Sequence, residues 1–302
     1  MNILVTGGSG FIGSHIVDKL KDKGHNVRIF DLVPTFRKDV EYYKGSLLNL
    51  DELKMCMGNI DMVFHIGAVA DVGGVFKDPV YSESINATGT INVLEAIRQS
   101  GSIKRIIYAS TEWVYSNCKE DVVDEETIVP PPSHLYTSTK FVSELYCQNY
   151  NTMYGIPFTI LRYGIPYGPR ARPTAVVPVF VNKAMNGKPL TIKGSGDQFR
   201  QFVYVEDLAE GNVAAIQDIA KNKIYNVTGD KKITIKDVAE TVKKILGNVE
   251  IVHEKEERVA DFKGKLVRND KVKRELGWMP KTSLEVGLKK YIEWVKGTGK
   301  NQ

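Results

Sequence analysis

The sequence is poor in the features that mark secreted, metal-bound or membrane-embedded proteins. It has three cysteines, Cys56, Cys118 and Cys147, far apart and outside any CxxC spacing. An odd, scattered set gives neither a disulfide framework nor a zinc site, and a reducing compartment fits it best. The five histidines form no HxxxH pair or His/carboxylate cluster, so no metal is expected. No apolar run approaches the roughly 20 residues of a membrane-spanning helix, and no membrane partner is expected. Residues 1–6 go straight into a strand-like run without the basic-then-apolar pattern of a secretion signal, so a cytoplasmic protein is expected. Charge of one sign is not concentrated either. The net +5 is spread along the chain, and its densest basic stretch, Lys263 to Arg274, is broken by Gly264, Leu266, Asn269 and Asp270. Nucleic acid is therefore not the expected partner, whereas an anionic small molecule suits a mild positive balance.

What remains is an ordinary globular composition, with 42% hydrophobic and 25% charged residues in 302, enough for a large core divided between two lobes. Runs rich in Val, Ile and aromatics at 2–6, 27–31, 62–66, 105–109 and 158–162 read as buried strands. Helical patterns between them, at 11–23, 79–100 and 133–154, each stop at a glycine: Gly24, Gly101 and Gly155. Strands alternating with helices predict an α/β fold with a doubly wound parallel sheet. The second half is more mixed. It has a Pro/Gly-rich region at 164–178, a Gly-Ser-Gly turn at 194–196, and helical patterns near 206–220, 235–246 and 283–296. The expected organisation is a nucleotide-binding domain over 1–165, to which strands around 201–228 return, and a smaller mixed α/β lobe over 166–302 that binds substrate.

Two motifs carry the chemistry. The first is Thr6-Gly7-Gly8-Ser9-Gly10-Phe11-Ile12-Gly13, at the end of the first strand and opening the first helix. Gly8, Gly10 and Gly13 satisfy GxGxxG, and Gly7, Gly10 and Gly13 satisfy GxxGxxG. Glycines there allow a tight turn and let the backbone approach a pyrophosphate lying on the helix N-terminus. Asp31, about 20 residues on at the end of the second strand, stands where a carboxylate binds the adenine ribose hydroxyls. That acid favours NAD over NADP, although Arg37 and Lys38 leave some tolerance for a 2′-phosphate. The second motif is Tyr136-Thr137-Ser138-Thr139-Lys140. Residues four apart share a helix face, so phenol and ammonium are expected in one site. An unperturbed tyrosine titrates near pH 10. Lys140 and a positive nicotinamide ring would favour the phenolate and make Tyr136 a base for a sugar hydroxyl. Ser110 and Thr111 end the strand at 105–109, at the edge where open α/β sheets bind ligands.

With these residues in order, the chain resembles the extended short-chain dehydrogenase/reductase family of Rossmann enzymes. Within it the likeness is to NAD-dependent nucleotide-sugar epimerases and dehydratases of the UDP-glucose 4-epimerase type. Further matching strings are His65-Ile66-Gly67-Ala68, Asn86 with Gly89-Thr90-Ile91-Asn92, Leu161-Arg162-Tyr163, Tyr167-Gly168-Pro169-Arg170, Gln198-Phe199-Arg200, Val205-Glu206-Asp207 and Leu276-Gly277-Trp278-Met279-Pro280. The resemblance implies Thr111, Tyr136 and Lys140 as catalytic residues. It implies cofactor contacts from Gly7, Gly10, Phe11, Ile12, Gly13, Asp31, Ser46 and Leu47 besides Tyr136 and Lys140. Glu112, Arg200 and Arg258 would meet the substrate, the two arginines as a clamp on its diphosphate. Departures fall mainly on expected ligand contacts: Ile165 for Asn, Ser46 for an acid, Gln201 for Asp, Ser116 for Gly, and Val259-Ala260 for Pro-Gly.

A 4-epimerase needs only oxidation, rotation of the ketone and hydride return, whereas a 4,6-dehydratase needs a further acid/base pair. Dehydratases of this type carry an acid two positions after the catalytic Thr. Trp113 stands there, with Glu112 displaced by one. Epimerisation at C4 is thus the expected reaction, with dehydratase, decarboxylase and ketoreductase as alternatives. An NAD-binding regulator without turnover is the alternative from another class. The helices at 79–100 and 133–154 carry apolar residues on more than one face (Val80, Ile85, Ile91, Val93, Leu94, Ile97), so a homodimer through this pair is expected.

Overall fold

In the computed structural model, residues 1–70, 72–247, 249–254 and 264–298 are described. Seven strands form one sheet: β1 (Asn2–Thr6), β2 (Asn26–Asp31), β3 (Glu41–Lys44), β4 (Met62–His65), β5 (Arg105–Thr111), β6 (Phe158–Tyr163) and β7 (Lys223–Val227). Their order is β3-β2-β1-β4-β5-β6-β7, and every pairing is parallel. The order reverses between β1 and β4, which opens a crevice at the C-terminal strand ends.

Both faces of this sheet are covered, which explains the unbroken apolar runs in the sequence. Alternation sends Ile3 and Val5 of β1 into one core with Ile16, Val17 and Leu20 of the Phe11–Asp22 helix and Leu208 and Ala209 of the Val205–Ala214 helix. Leu4 enters the opposite core with Leu53, Val93, Leu94 and Ile97. Each such fully buried aliphatic contributes about 1.5–3 kcal/mol. A third cluster, including Phe180, Val181, Val238, Val242, Leu288 and Ile292, is built by the helices Val176–Met185, Ile235–Leu246 and Leu284–Thr298. Beside it Leu190–Lys193 pairs with Ile251–Glu254.

The structure modifies some expected elements. The helix at 79–100 is interrupted: Pro79–Glu83 passes through a π-helical turn, Ser84–Thr88, into Gly89–Ser100. The wider turn accompanies an inward Asn86, whose amide takes Val69 N–H (2.7 Å) and donates to Val69 O (3.0 Å) and Thr139 Oγ1 (3.1 Å). The pattern at 206–220 resolves into Val205–Ala214 and a short 3₁₀ turn, Asp218–Ala220. The strand β3 and the helix Leu50–Cys56 are additions. No helix among the described residues is long and apolar enough to cross a membrane.

Candidate active site

The glycine turn between β1 and the first helix is shaped by close backbone approach. Gly7 has φ +69° and donates its N–H to Phe30 O at 2.9 Å. A Cβ on Gly13 would lie 2.0 Å from Gly7 O, and one on Gly7 2.6 Å from the Gly67 backbone. Among the described residues no side chain caps the helix at Gly10, and its first turn holds no acid, which suits its N–H groups to an anion. Asp31 faces this turn, accepting Ser9 N–H (3.0 Å) and Val33 N–H (3.1 Å). These features fit a dinucleotide. Arg37 is committed elsewhere: it bonds Asp18 at 2.6 Å and grips Asp39 through two nitrogens at 2.8 and 2.7 Å.

The cradle opens into a cleft of about 550 Å³, within the size range of small-ligand sites. Gly7, Gly10, Phe11, Ile12, Gly13, Asp31 and Leu47 line it, as do Thr111 and Tyr136. Ser46 does not join them. Its hydroxyl accepts Leu48 N–H at 3.2 Å and its N–H bonds Glu52 at 2.9 Å, so it stabilises its own turn while Gly45 and Leu47 form the wall.

Thr111 ends β5, in register with Tyr163 of β6. Its Oγ1 accepts Trp113 N–H at 3.2 Å and opens the turn Glu112–Tyr115. The helix Leu135–Tyr154 presents Tyr136 to the cleft, edge-on to the Trp113 ring with centroids 6.4 Å apart. Lys140 lies one turn deeper, buried, its Nζ 4.4 Å from the centre of the Tyr108 ring. Burial lowers Lys140 to about 7, against the opposing pull of Cys147 and Glu144. The expected lowering of Tyr136 is not found in the protein alone. Burial dominates and pushes the phenol up to about 12, and the opposing charge is that of Arg172 on the cleft wall.

Of the expected substrate contacts, Glu112 is buried, with one carboxyl oxygen that has no hydrogen-bond partner among the described residues. Burial raises it to about 8, opposed by the charge of Arg200. Arg200 is buried on the short strand Phe199–Arg200 and donates to Phe199 O at 2.7 Å. Neither Glu112 nor Arg200 is a cleft-lining residue, and Arg258 lies outside the described residues. Gln201 serves packing: its amide accepts Val267 N–H (2.6 Å) and donates to Val267 O (3.0 Å) and Gly229 O (2.6 Å). Ile165 and Trp113 form apolar wall beside Tyr136. Sequence reasoning missed Arg172 and Tyr81, both on the wall. Arg172 falls in the Pro/Gly-rich stretch, where no periodicity orients a side chain, and only its charge set it apart.

Comparison with known proteins agrees with this geometry. The profile of the NAD dependent epimerase/dehydratase family matches residues 3–228. The Thermotoga maritima UDP-glucose 4-epimerase, solved with UDP-glucose, superposes with a TM-score of 0.93 at 32% identity, covering 99% of each chain. The Thermus thermophilus UDP-glucose 4-epimerase, solved with NAD, gives a TM-score of 0.90 at 31% identity over 98% of this chain and 99% of that one. A UDP-N-acetyl-alpha-D-glucosaminuronate decarboxylase of Bacillus cytotoxicus is 30% identical over 97% of each chain. This chain belongs to the NAD-dependent epimerase/dehydratase family, as its glycine cradle, Asp31 and Tyr136–Lys140 helix led one to expect.

Proposed function

We propose that this protein epimerises a nucleotide-diphosphate sugar at C4, through a 4-keto sugar and with the cofactor regenerated in each turnover. One observation carries this choice over dehydration: among the described lining residues, Asp31 is the sole carboxylate, and it belongs to the cofactor end of the cleft. Epimerisation asks for no further acid. NAD held in the glycine cradle would supply the hydride acceptor for the sugar carbon and, after the ketone has rotated, the hydride donor to its other face. Tyr136 takes the hydroxyl proton as the carbonyl forms and gives it back when hydride returns, so protons and electrons balance over the cycle. Thr111 hydrogen bonds the reacting oxygen, and Lys140 supports the phenolate from behind. Gly7, Gly10, Phe11, Ile12, Gly13 and Leu47 hold the dinucleotide, with Asp31 on its ribose. Arg200 and Arg258 bind the substrate's diphosphate. On this reading residues 1–165 with the strands around 201–228 bind the cofactor and residues 166–302 the sugar nucleotide. The protein acts in the cytoplasm as a homodimer through the helices around 79–100 and 133–154.

A second reading has its own support. Glu112 is a buried carboxyl raised to about 8, with one oxygen unpaired among the described residues, which suits the acid of a 4,6-dehydratase. Proton NMR of the protein with NAD and a panel of UDP-, dTDP- and GDP-sugars separates the two. A new anomeric signal at unchanged mass, with no net cofactor reduction, is the expected result. Tyr136→Phe should then lower turnover at least about 100-fold, the usual worth of a general base. A 6-deoxy-4-keto product abolished by Glu112→Gln would establish the dehydratase instead. NAD binding without conversion of any sugar would leave a regulator.

A further inference from the structure

Beneath the catalytic face lies a buried ion pair that the proposed chemistry does not use. Glu144 follows Tyr136 by eight residues and Lys140 by four on the Leu135–Tyr154 helix, so all three share one face. Its carboxylate receives Arg162 Nε at 3.0 Å and Nη2 at 2.7 Å, and both residues are buried, at 0% and 3% exposure. Arg162 sits on β6, directly between Ser110 of β5 and Asn226 of β7 in register. The Ser110 hydroxyl donates to Glu144. Arg162 Nη1 donates to the Tyr115 oxygen (2.7 Å), Tyr115 O–H to Asn226 Oδ1 (3.0 Å), and Asn226 Nδ2 to Arg268 O (2.9 Å). One row of the sheet thus holds the helix from below, and the next row carries Thr111.

We propose that Glu144 and Arg162 are positioning residues that set the rotation and depth of the catalytic helix against β5, so that Tyr136 meets Thr111 across the cleft. This rests on the reading of Tyr136 and Thr111 given above. Stability does not explain the pair, because a well-packed apolar replacement of a buried ion pair is often as stable or more so. Its distinguishing property is direction. A two-pronged guanidinium–carboxylate contact fixes angle and distance, whereas apolar packing is non-directional. Its partners support the role: Ser110 precedes Thr111, and Tyr115 ends the turn that follows it. Through Asn226 the same bonds reach the Arg268 backbone, which ties the helix to the C-terminal part of the chain.

The test is the double substitution Glu144→Leu with Arg162→Met, which removes direction while keeping a packed interior. The melting temperature should stay near that of the wild type. Turnover should fall about 100-fold, the cost of roughly 1 Å of misplacement. KM and the NAD dissociation constant should stay within about threefold, because the ligand contacts themselves are untouched. Recovery of kcat along with stability would overturn the proposal. Should the double variant not fold, Arg162→Lys, which keeps the charge but loses the fork, carries the same measurements with a drop of about tenfold expected. If the wild type converts no nucleotide sugar, the functional reading fails on its own. The crystal structure of the variant then decides positioning: a Tyr136 oxygen shifted against Thr111 supports it, and an unmoved one overturns it.

Discussion

Tyr136 meets two opposing influences. Burial favours the neutral phenol and raises it to about 12, while Arg172 favours the phenolate. A base must be deprotonated before it accepts a proton, so any charge that lowers the phenol raises the active fraction at pH 7. Replacing Arg172 by Gln removes such a charge, and the phenol rises further. The ascending limb of the kcat–pH profile should therefore move to higher pH in Arg172→Gln. Activity should fall about three- to tenfold at pH 7, the modest size expected of an exposed, screened charge, and should recover in alkali. Superimposable profiles would show that Arg172 does not act on the phenol. The contrast between these two residues shows what is readable at this scale. Tyr136 and Lys140 were legible because the helical repeat places residues four apart on one face. Thr111 was legible because it ends a strand at the ligand-binding edge. Arg172 sits among glycines and prolines, and the Ser46 hydroxyl accepts within its own turn, an arrangement that no sequence spacing reveals.

At the scale of elements, Gln201 shows how a departure from a family pattern becomes a structural statement. It stands between the short strands Phe199–Arg200 and Phe202–Tyr204 and holds both backbone groups of Val267. A carboxylate in its place could accept from Val267 N–H but could not donate to Val267 O and Gly229 O. Gln201→Glu should cost about 2–4 kcal/mol, since two buried carbonyls would lose their donor and face a negative charge. A melting temperature lowered by about 5 °C or more is the expected outcome. An unchanged one would mean that the amide contacts contribute nothing. Legibility of the elements follows burial. β1, β4, β5 and β6 are covered on both faces and read as apolar runs, whereas the edge strand β3, Glu-Tyr-Tyr-Lys, is too polar to stand out. The helix Val176–Met185 was hidden by the prolines and glycines before it. The π-helical turn at Ser84–Thr88 left no sequence signal, because one extra residue per turn changes a hydrophobic period too little over so short a span.

For the whole molecule, assembly turns on which apolar groups the fold leaves exposed. Of the apolar residues Val80, Ile85, Ile91, Val93, Leu94 and Ile97, four (Ile85, Val93, Leu94 and Ile97) lie in the protomer's own core, whereas Val80 is exposed. The exposed apolar groups on this side are Val80 (78%) itself with Tyr81 on the same short helix, Phe76 (81%) on the short helix before it, and Leu145 and Met153 (66%) on the Leu135–Tyr154 helix. Leu145, Asn149 and Met153 recur every four residues and form one outward stripe. A stable homodimer needs about 800 Å² of each partner covered, with apolar residues at its centre. If this stripe is that centre, two carboxylates there must be left unpaired and desolvated on association. Light scattering at micromolar concentration should give about twice the 33.8 kDa protomer mass for the wild type. Leu145→Glu with Met153→Glu should give a single protomer that still binds NAD, because both positions lie outside the cleft. A wild type that scatters as one protomer refutes the dimer. A variant that still pairs moves the interface to another face and leaves the cleft chemistry untouched.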